Sequence, residues 1–199
     1  HYRPEEGVSV SESSANIFDL VERGLASQDS EQLKRQCLER LPAWSYASLV
    51  QLCEALNLRA GKNDADKTKA IDLLTFLLDR RMATGEKKRS SVLDILGKRL
   101  AAIFGASPNM RANSQSLYCH VDWATRHTLR APQAGERICV LNAREFPPEG
   151  DDCDARLICA AYEMGWKQFI CYGYKGQRFT ACGLSKDSDG VRIDVYGSA

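Results

Sequence analysis

The stretch GYKGQRFTACGLSKDSDGVRIDVYGSA (residues 173–199) decides how the second half of this chain folds. "QRFTACGL" and "VRIDVYG" are short β-prone runs separated by glycine-containing turns, and "WKQFICYGY" just before them reads as a further strand. Working outward, "RICVLNA" predicts another strand. "DDCDARLICAAYEMG" predicts a helix capped by Asp151 or Asp152 and ended by Gly165. A strand, a helix and a series of short strands make an α+β arrangement.

Upstream the period changes to that of helices. "SSANIFDLVERGLAS" carries Ile17, Leu20, Val21 and Leu25 at helical spacing behind Ser13 or Ser14 as cap. "DSEQLKRQCLERLP" opens at Asp29 or Ser30. "SYASLVQLCEAL" opens at Ser45 and aligns Leu49, Leu52, Cys53 and Leu56. After a polar turn, "NLRAGKNDADK", the run "TKAIDLLTFLLDRRM" places Ile71, Leu74, Leu77 and Leu78 on one stripe. "SSVLDILGKRLAAIF" does the same with Val92, Ile95, Leu96, Leu100 and Ile103, ending at Gly105. The expected organisation is a helical bundle over 1–105, a linker or interface arm over 106–135 and an α+β part over 136–199. The linker is suggested by the Pro-, Asn- and Ser-rich "GASPNMRANSQS" and by "APQAGE", with "LYCHVDW" between them as a strand or arm.

Composition narrows the function classes. With 199 residues and 44% hydrophobic content the chain can bury a real core. No apolar run is long enough to span a bilayer, so no direct membrane span is expected. The chain opens on His1 without a methionine, so an upstream segment is expected to be missing from this sequence, through cleavage of a targeting segment or through the choice of boundary. That fits a mitochondrial or other organelle matrix, and the cytoplasm otherwise. Eight cysteines lie in apolar settings and are expected as reduced, buried thiols. The three histidines lack zinc-ligand spacing, and no metal or cofactor site is expected. "CHVDW" supplies Cys119, His120 and Asp122, but neighbouring strand residues point to opposite faces and do not converge on one reacting atom, so no catalytic residues are expected. "GYKGQRF" matches neither glycine-rich phosphate-binding pattern and reads as a strand-connecting turn.

Residues 137–199 resemble the GXGXG domain, the right-handed β-helix module that closes glutamate synthase large subunits and recurs in formylmethanofuran dehydrogenase subunits. The resemblance rests on Gly165 after a short helix, the turn Gly176-Gln177-Arg178-Phe179 and the step Gly183-Leu184. It implies the first coils of a β-helix that acts as a spacer and packing surface, while the family's nucleophile, flavin and iron–sulfur chemistry belong to other domains. Solenoids need several repeats to bury their faces. Phe179, Leu184, Val191 and Ile193 would therefore need cover from a partner chain, the helical half or a continuation.

Residues 45–78 resemble the helical hairpin of the SAP family, which binds DNA or RNA. Leu49, Leu52, Cys53 and Leu56 stand for its first helix, Asn57-Leu58 and Gly61-Lys62 for its turn, and Ile71 and Leu74 for its second helix. Nucleic-acid contact would fall to Lys62, Lys67 and Lys69, with Lys87, Lys88 and Arg89 as a second cationic spot. Residues 31–100 carry fourteen Lys/Arg against nine Asp/Glu, although Asp64 and Asp66 stand among those lysines. The expected function is that of a non-catalytic interaction or scaffold subunit whose partners are other protein subunits of a large intracellular complex. Trp123, Tyr172, Tyr174, Phe179 and Tyr196 are the expected interface. A SAP-like nucleic-acid module is one alternative, and a non-catalytic piece of a glutamate-synthase-like enzyme is another.

Overall fold

Side-chain caps set where three of the helices begin. Asp29 accepts from the amides of Glu31 and Gln32, Ser45 from Ser48 and Asn63 from Asp66, each satisfying donors that a helix start leaves unpaired. The computed structural model describes residues 10–27, 29–175, 180, 182–184, 188 and 190–198. It contains helices α1 (Val10–Ala26), α2 (Ser30–Arg40), α3 (Tyr46–Ala60), α4 (Asp64–Asp79), α5 (Arg89–Gly105) and α6 (Asp154–Glu163), with strands β1 (Tyr118–Val121), β2 (Ile138–Asn142), β3 (Gln168–Lys175) and β4 (Arg192–Ser198). The fold is thus mixed α+β, helices plus a four-stranded parallel sheet. Among the described residues, no helix is long and apolar enough to cross a membrane.

The chain divides into two compact units, His1–Ile103 and Phe104–Ala199. In the first, α1 buries Ile17, Leu20, Val21 and Leu25, and α2 adds Leu33 and Cys37. A methyl on Gly24 would stand 2.6 Å from a Leu33 methyl carbon, so the missing side chain is what admits Leu33. Two sequence expectations change here. Helix α1 opens at Val10, ahead of Ser13 and Ser14. The expected polar turn between α3 and α4 contracts to residues 61–63, because α3 runs to Ala60 and Asn63 caps α4. Asn57 and Leu58, expected in the turn, lie inside α3.

In the second unit the strands lie in chain order, β1-β2-β3-β4, every pair parallel. Their register stacks side chains in rows: Cys119, Cys139, Phe169 and Ile193 in one, Val121, Leu141, Cys171 and Val195 in the next. These rows face a core completed by Ile158 and Ala161 of α6, Phe146 and the fully buried Trp166. The segment expected as a linker is instead part of this unit. It carries β1, and Arg130 ties it together by bonding Met110 O at 2.8 Å and Glu136 through both nitrogens. Helix α6 also departs from expectation, since its N-cap is Cys153 and not Asp151 or Asp152.

Candidate functional site

Two features of the second unit invite a functional reading: a polar cluster on the sheet and the outer edge of β4. The cluster grows from alternation along the strands. His120 turns away from the Cys119 row, and so do Asn142 and Tyr172. His120 Nε2 and Tyr172 Oη stand 3.0 Å apart, both side chains buried. The Phe104 ring packs on Tyr172 (5.3 Å between centroids) and on Tyr196 (5.0 Å). Gly173 (φ +79°) forms the bulge that follows, and a methyl there would stand 2.6 Å from Asn142 Oδ1, so only glycine fits.

Electrostatics make this cluster a poor proton-transfer device. Burial pushes the Tyr172 phenol up to about 12, the Asp122 charge pushes it the same way, and a hydrogen bond with Asn142 only partly opposes them. Burial would raise Asp122 as well, but the Thr125 hydroxyl (2.7 Å) and amide (2.8 Å), with His120 nearby, bring it below the ordinary aspartate value. Cys119 faces the opposite side beside Met110, and burial pushes its thiol up to about 12. The residues of "CHVDW" therefore do not assemble into a nucleophile and base.

Below the strands' carboxyl ends a cleft of about 450 Å³ is lined by Arg126, His127, Phe146, Asp152, Cys153 and Arg156, among others. Its cations already have neighbours. Arg126 lies over the Trp123 ring at 3.5 Å, His127 Nε2 is 2.6 Å from Arg111, and Arg156 is 3.7 Å from Asp151.

The outer edge of β4 is the other feature. The Arg192 amide donates to Lys167 O (2.9 Å), toward β3. Successive strand residues direct their amides to opposite sides, so Ile193 and Val195 present theirs outward. No strand among the described residues pairs there. Val195, the last member of a row whose other three members are fully buried, is 45% exposed.

The sequence-based candidates distribute unevenly over this geometry. Tyr172 and Tyr174 are core residues, not surface ones: a parallel sheet is covered on both faces, and Tyr174 donates to the buried Asp154 at 3.1 Å. Trp123 is half-buried against Phe146, and Tyr196 is half-buried against Phe104. Phe179 lies outside the described residues. In the helical unit, Lys87 is buried and donates to Leu41 O (2.9 Å), Pro42 O and Trp44 O. Lys69 donates to Leu25 O and Ser27 O at the end of α1, and Lys67 is 5% exposed. Lys62, Lys88 and Arg89 remain exposed, Arg89 donating to Arg80 O. Val195 stands outside the residues that the sequence marks as an interface. Its place as the outermost residue of a parallel row is the relevant signal, and it depends on strand order. Protein-family models, curated proteins and solved structures contain no match to this chain.

Proposed function

We propose that this chain is a non-catalytic assembly module. Its second unit is the opening of a GXGXG-like β-helix, and it takes a further parallel, glycine-punctuated β-coil from a neighbouring subunit on the outer edge of β4. The observation that carries this reading is the parallel stacking of four strands in chain order, ending on an edge whose Ile193 and Val195 amides face outward beside an exposed valine. Rows that repeat from strand to strand are the way β-solenoids build a core, each coil covering the one before. An added strand would pair the outward amides and cover Val195, the mode by which sheet edges recognise partners.

Hydrogen exchange on the natively isolated protein tests the proposal. The Ile193 and Val195 amides are expected to be protected in the assembly and to exchange fast in the separated chain, while the Arg192 amide stays protected in both. Equal, fast exchange of the two outward amides in both samples would count against strand docking. The engagement of Lys67, Lys69 and Lys87 within the helical unit gives the nucleic-acid alternative no comparable support.

A further inference from the structure

Of the eight cysteines, six are buried, Cys159 is half-buried and Cys182 is exposed. Burial pushes the Cys37 and Cys171 thiols up to about 12 and Cys53 to about 11, which leaves them inert. The two accessible thiols share one neighbourhood. Gly183, the residue after Cys182, adopts φ +114°, and a methyl on it would stand 3.0 Å from Cys159 Sγ. Consecutive Cα atoms are about 3.8 Å apart, so the Cys182 backbone stands one residue from the position that meets Cys159 Sγ. Cys182 is also among the groups whose charge bears on the Cys159 thiol, after burial as the main influence. Gly183 sits between Cys182 and Leu184, which form an isolated parallel bridge, so the backbone turns sharply beside the sulfur.

We propose that Cys159 and Cys182 form a reversible disulfide under peroxide, a redox clasp that fastens residues 182–184 to helix α6. The exposed Cys182 reacts first. Its thiolate attacks one peroxide oxygen, the O–O bond breaks, and hydroxide leaves as Cys182 becomes a sulfenic acid. Cys159 then attacks that sulfur, the S–O bond breaks, and the departing hydroxide with the Cys159 proton leaves as water. In sum two thiols and one hydrogen peroxide give one disulfide and two waters: the sulfurs lose two electrons and the peroxide gains them. The clasp does not depend on strand docking at β4.

The test treats the 199-residue chain with substoichiometric hydrogen peroxide, alkylates the remaining thiols, and maps the digest by mass spectrometry. The expected product is a peptide pair linked Cys159 to Cys182, with a loss of about 2 Da per chain that dithiothreitol reverses. In C159S, Cys182 is expected to stop at the sulfenic acid and to be labelled by dimedone, whereas C182S keeps Cys159 alkylatable. Wild-type chains joined Cys182 to Cys182 across two molecules would overturn the proposal. So would Cys182 advancing to sulfinic acid while Cys159 stays reduced.

Discussion

Arg130 holds Glu136 through both guanidinium nitrogens, Nη1 to Oε2 at 2.6 Å and Nη2 to Oε1 at 2.7 Å, with the carboxylate side chain only 1% exposed. The Gln133 amide adds a third bond to the same carboxylate, and Trp166 Nε1 donates to Arg130 O at 2.7 Å. The pair fixes the segment between α5 and β2 to the sheet core. Glu136→Gln keeps the shape and leaves the guanidinium without its counter-charge, and is expected to cost about 2–3 kcal/mol in the second unit, read from urea unfolding. The Arg130 bonds hold Glu136 below the ordinary glutamate value, more strongly than burial raises it. Its contribution is therefore fully present above the unfolded carboxylate value of about 4.3 and is lost as pH falls through the lower folded value. Glu136→Gln is expected to remove that acid-side loss.

Lys67 gives the opposite signature. Burial lowers its ammonium to about 8, although the Asp64 charge works against that shift. At Lys67 the folded unit thus binds fewer protons than the unfolded chain between about pH 8 and the unperturbed lysine value of about 10.4, so the Lys67 contribution to stability rises with pH across that window, while the buried Cys37 and Cys53 thiols, raised to about 12 and about 11, act in the opposite sense. Lys67→Met is expected to remove the Lys67 contribution and leave those of the two thiols, so its stability relative to the wild type is expected to be highest at pH 7 and to shrink toward pH 10.5. Thermal melts of both proteins from pH 7 to 10.5 check this.

The loop before α5 is latched by Lys87, whose ammonium bonds three carbonyls of the α2–α3 turn. Lys87→Met leaves those buried acceptors unpaired and is expected to cost about 2–3 kcal/mol. Gly85, at φ +60°, comes so close that an added methyl would stand 2.1 Å from Pro42 O. Gly85→Ala is therefore expected to destabilise by a similar amount or more, about 2–4 kcal/mol. A reading of Lys87 as a nucleic-acid contact would instead leave stability unchanged, so chemical denaturation of the two variants separates the two roles.

Tyr172 is expected to behave as a core residue. Tyr172→Phe keeps the ring on Phe104 and removes only the hydroxyl next to His120, for an expected cost of about 1–2 kcal/mol. Tyr172→Ala opens a cavity between Phe104 and His120 and is expected to cost about 3–5 kcal/mol. An exposed interface tyrosine would show neither loss in the isolated chain, and equilibrium unfolding tells the two apart.

Much of the helical unit was legible in the residues because helical spacing and caps are local. Asp29 and Ser45 stand at the helix starts their chemistry suggests, and the apolar stripes of α3 to α5 enter the core. Strands β2, β3 and β4 were legible as β-prone runs between glycines. What the residues could not disclose is tertiary. Tyr118–Val121 is four residues inside a Pro-, Asn- and Ser-rich segment, and its pairing with β2 lies across the Arg130–Glu136 turn. The expectation of an exposed aromatic interface fails at Tyr172 and Tyr174, because in a parallel sheet both faces are covered and neither marks solvent. The burial of Lys87 depends on carbonyls more than forty residues away, which no local pattern announces.

The most direct test of the proposed assembly role is the size of the natively isolated protein, wild type against Val195→Pro. Proline at Val195 removes an outward N–H without touching a bond to β3, a change that edge strands accept. The isolated variant should therefore melt like the wild type. Wild type is expected to run in a stoichiometric assembly well above its own 22.2 kDa and Val195→Pro to run alone. A wild-type chain that runs as a monodisperse 22.2 kDa species, or an assembly that Val195→Pro leaves intact, would contradict docking at the β4 edge.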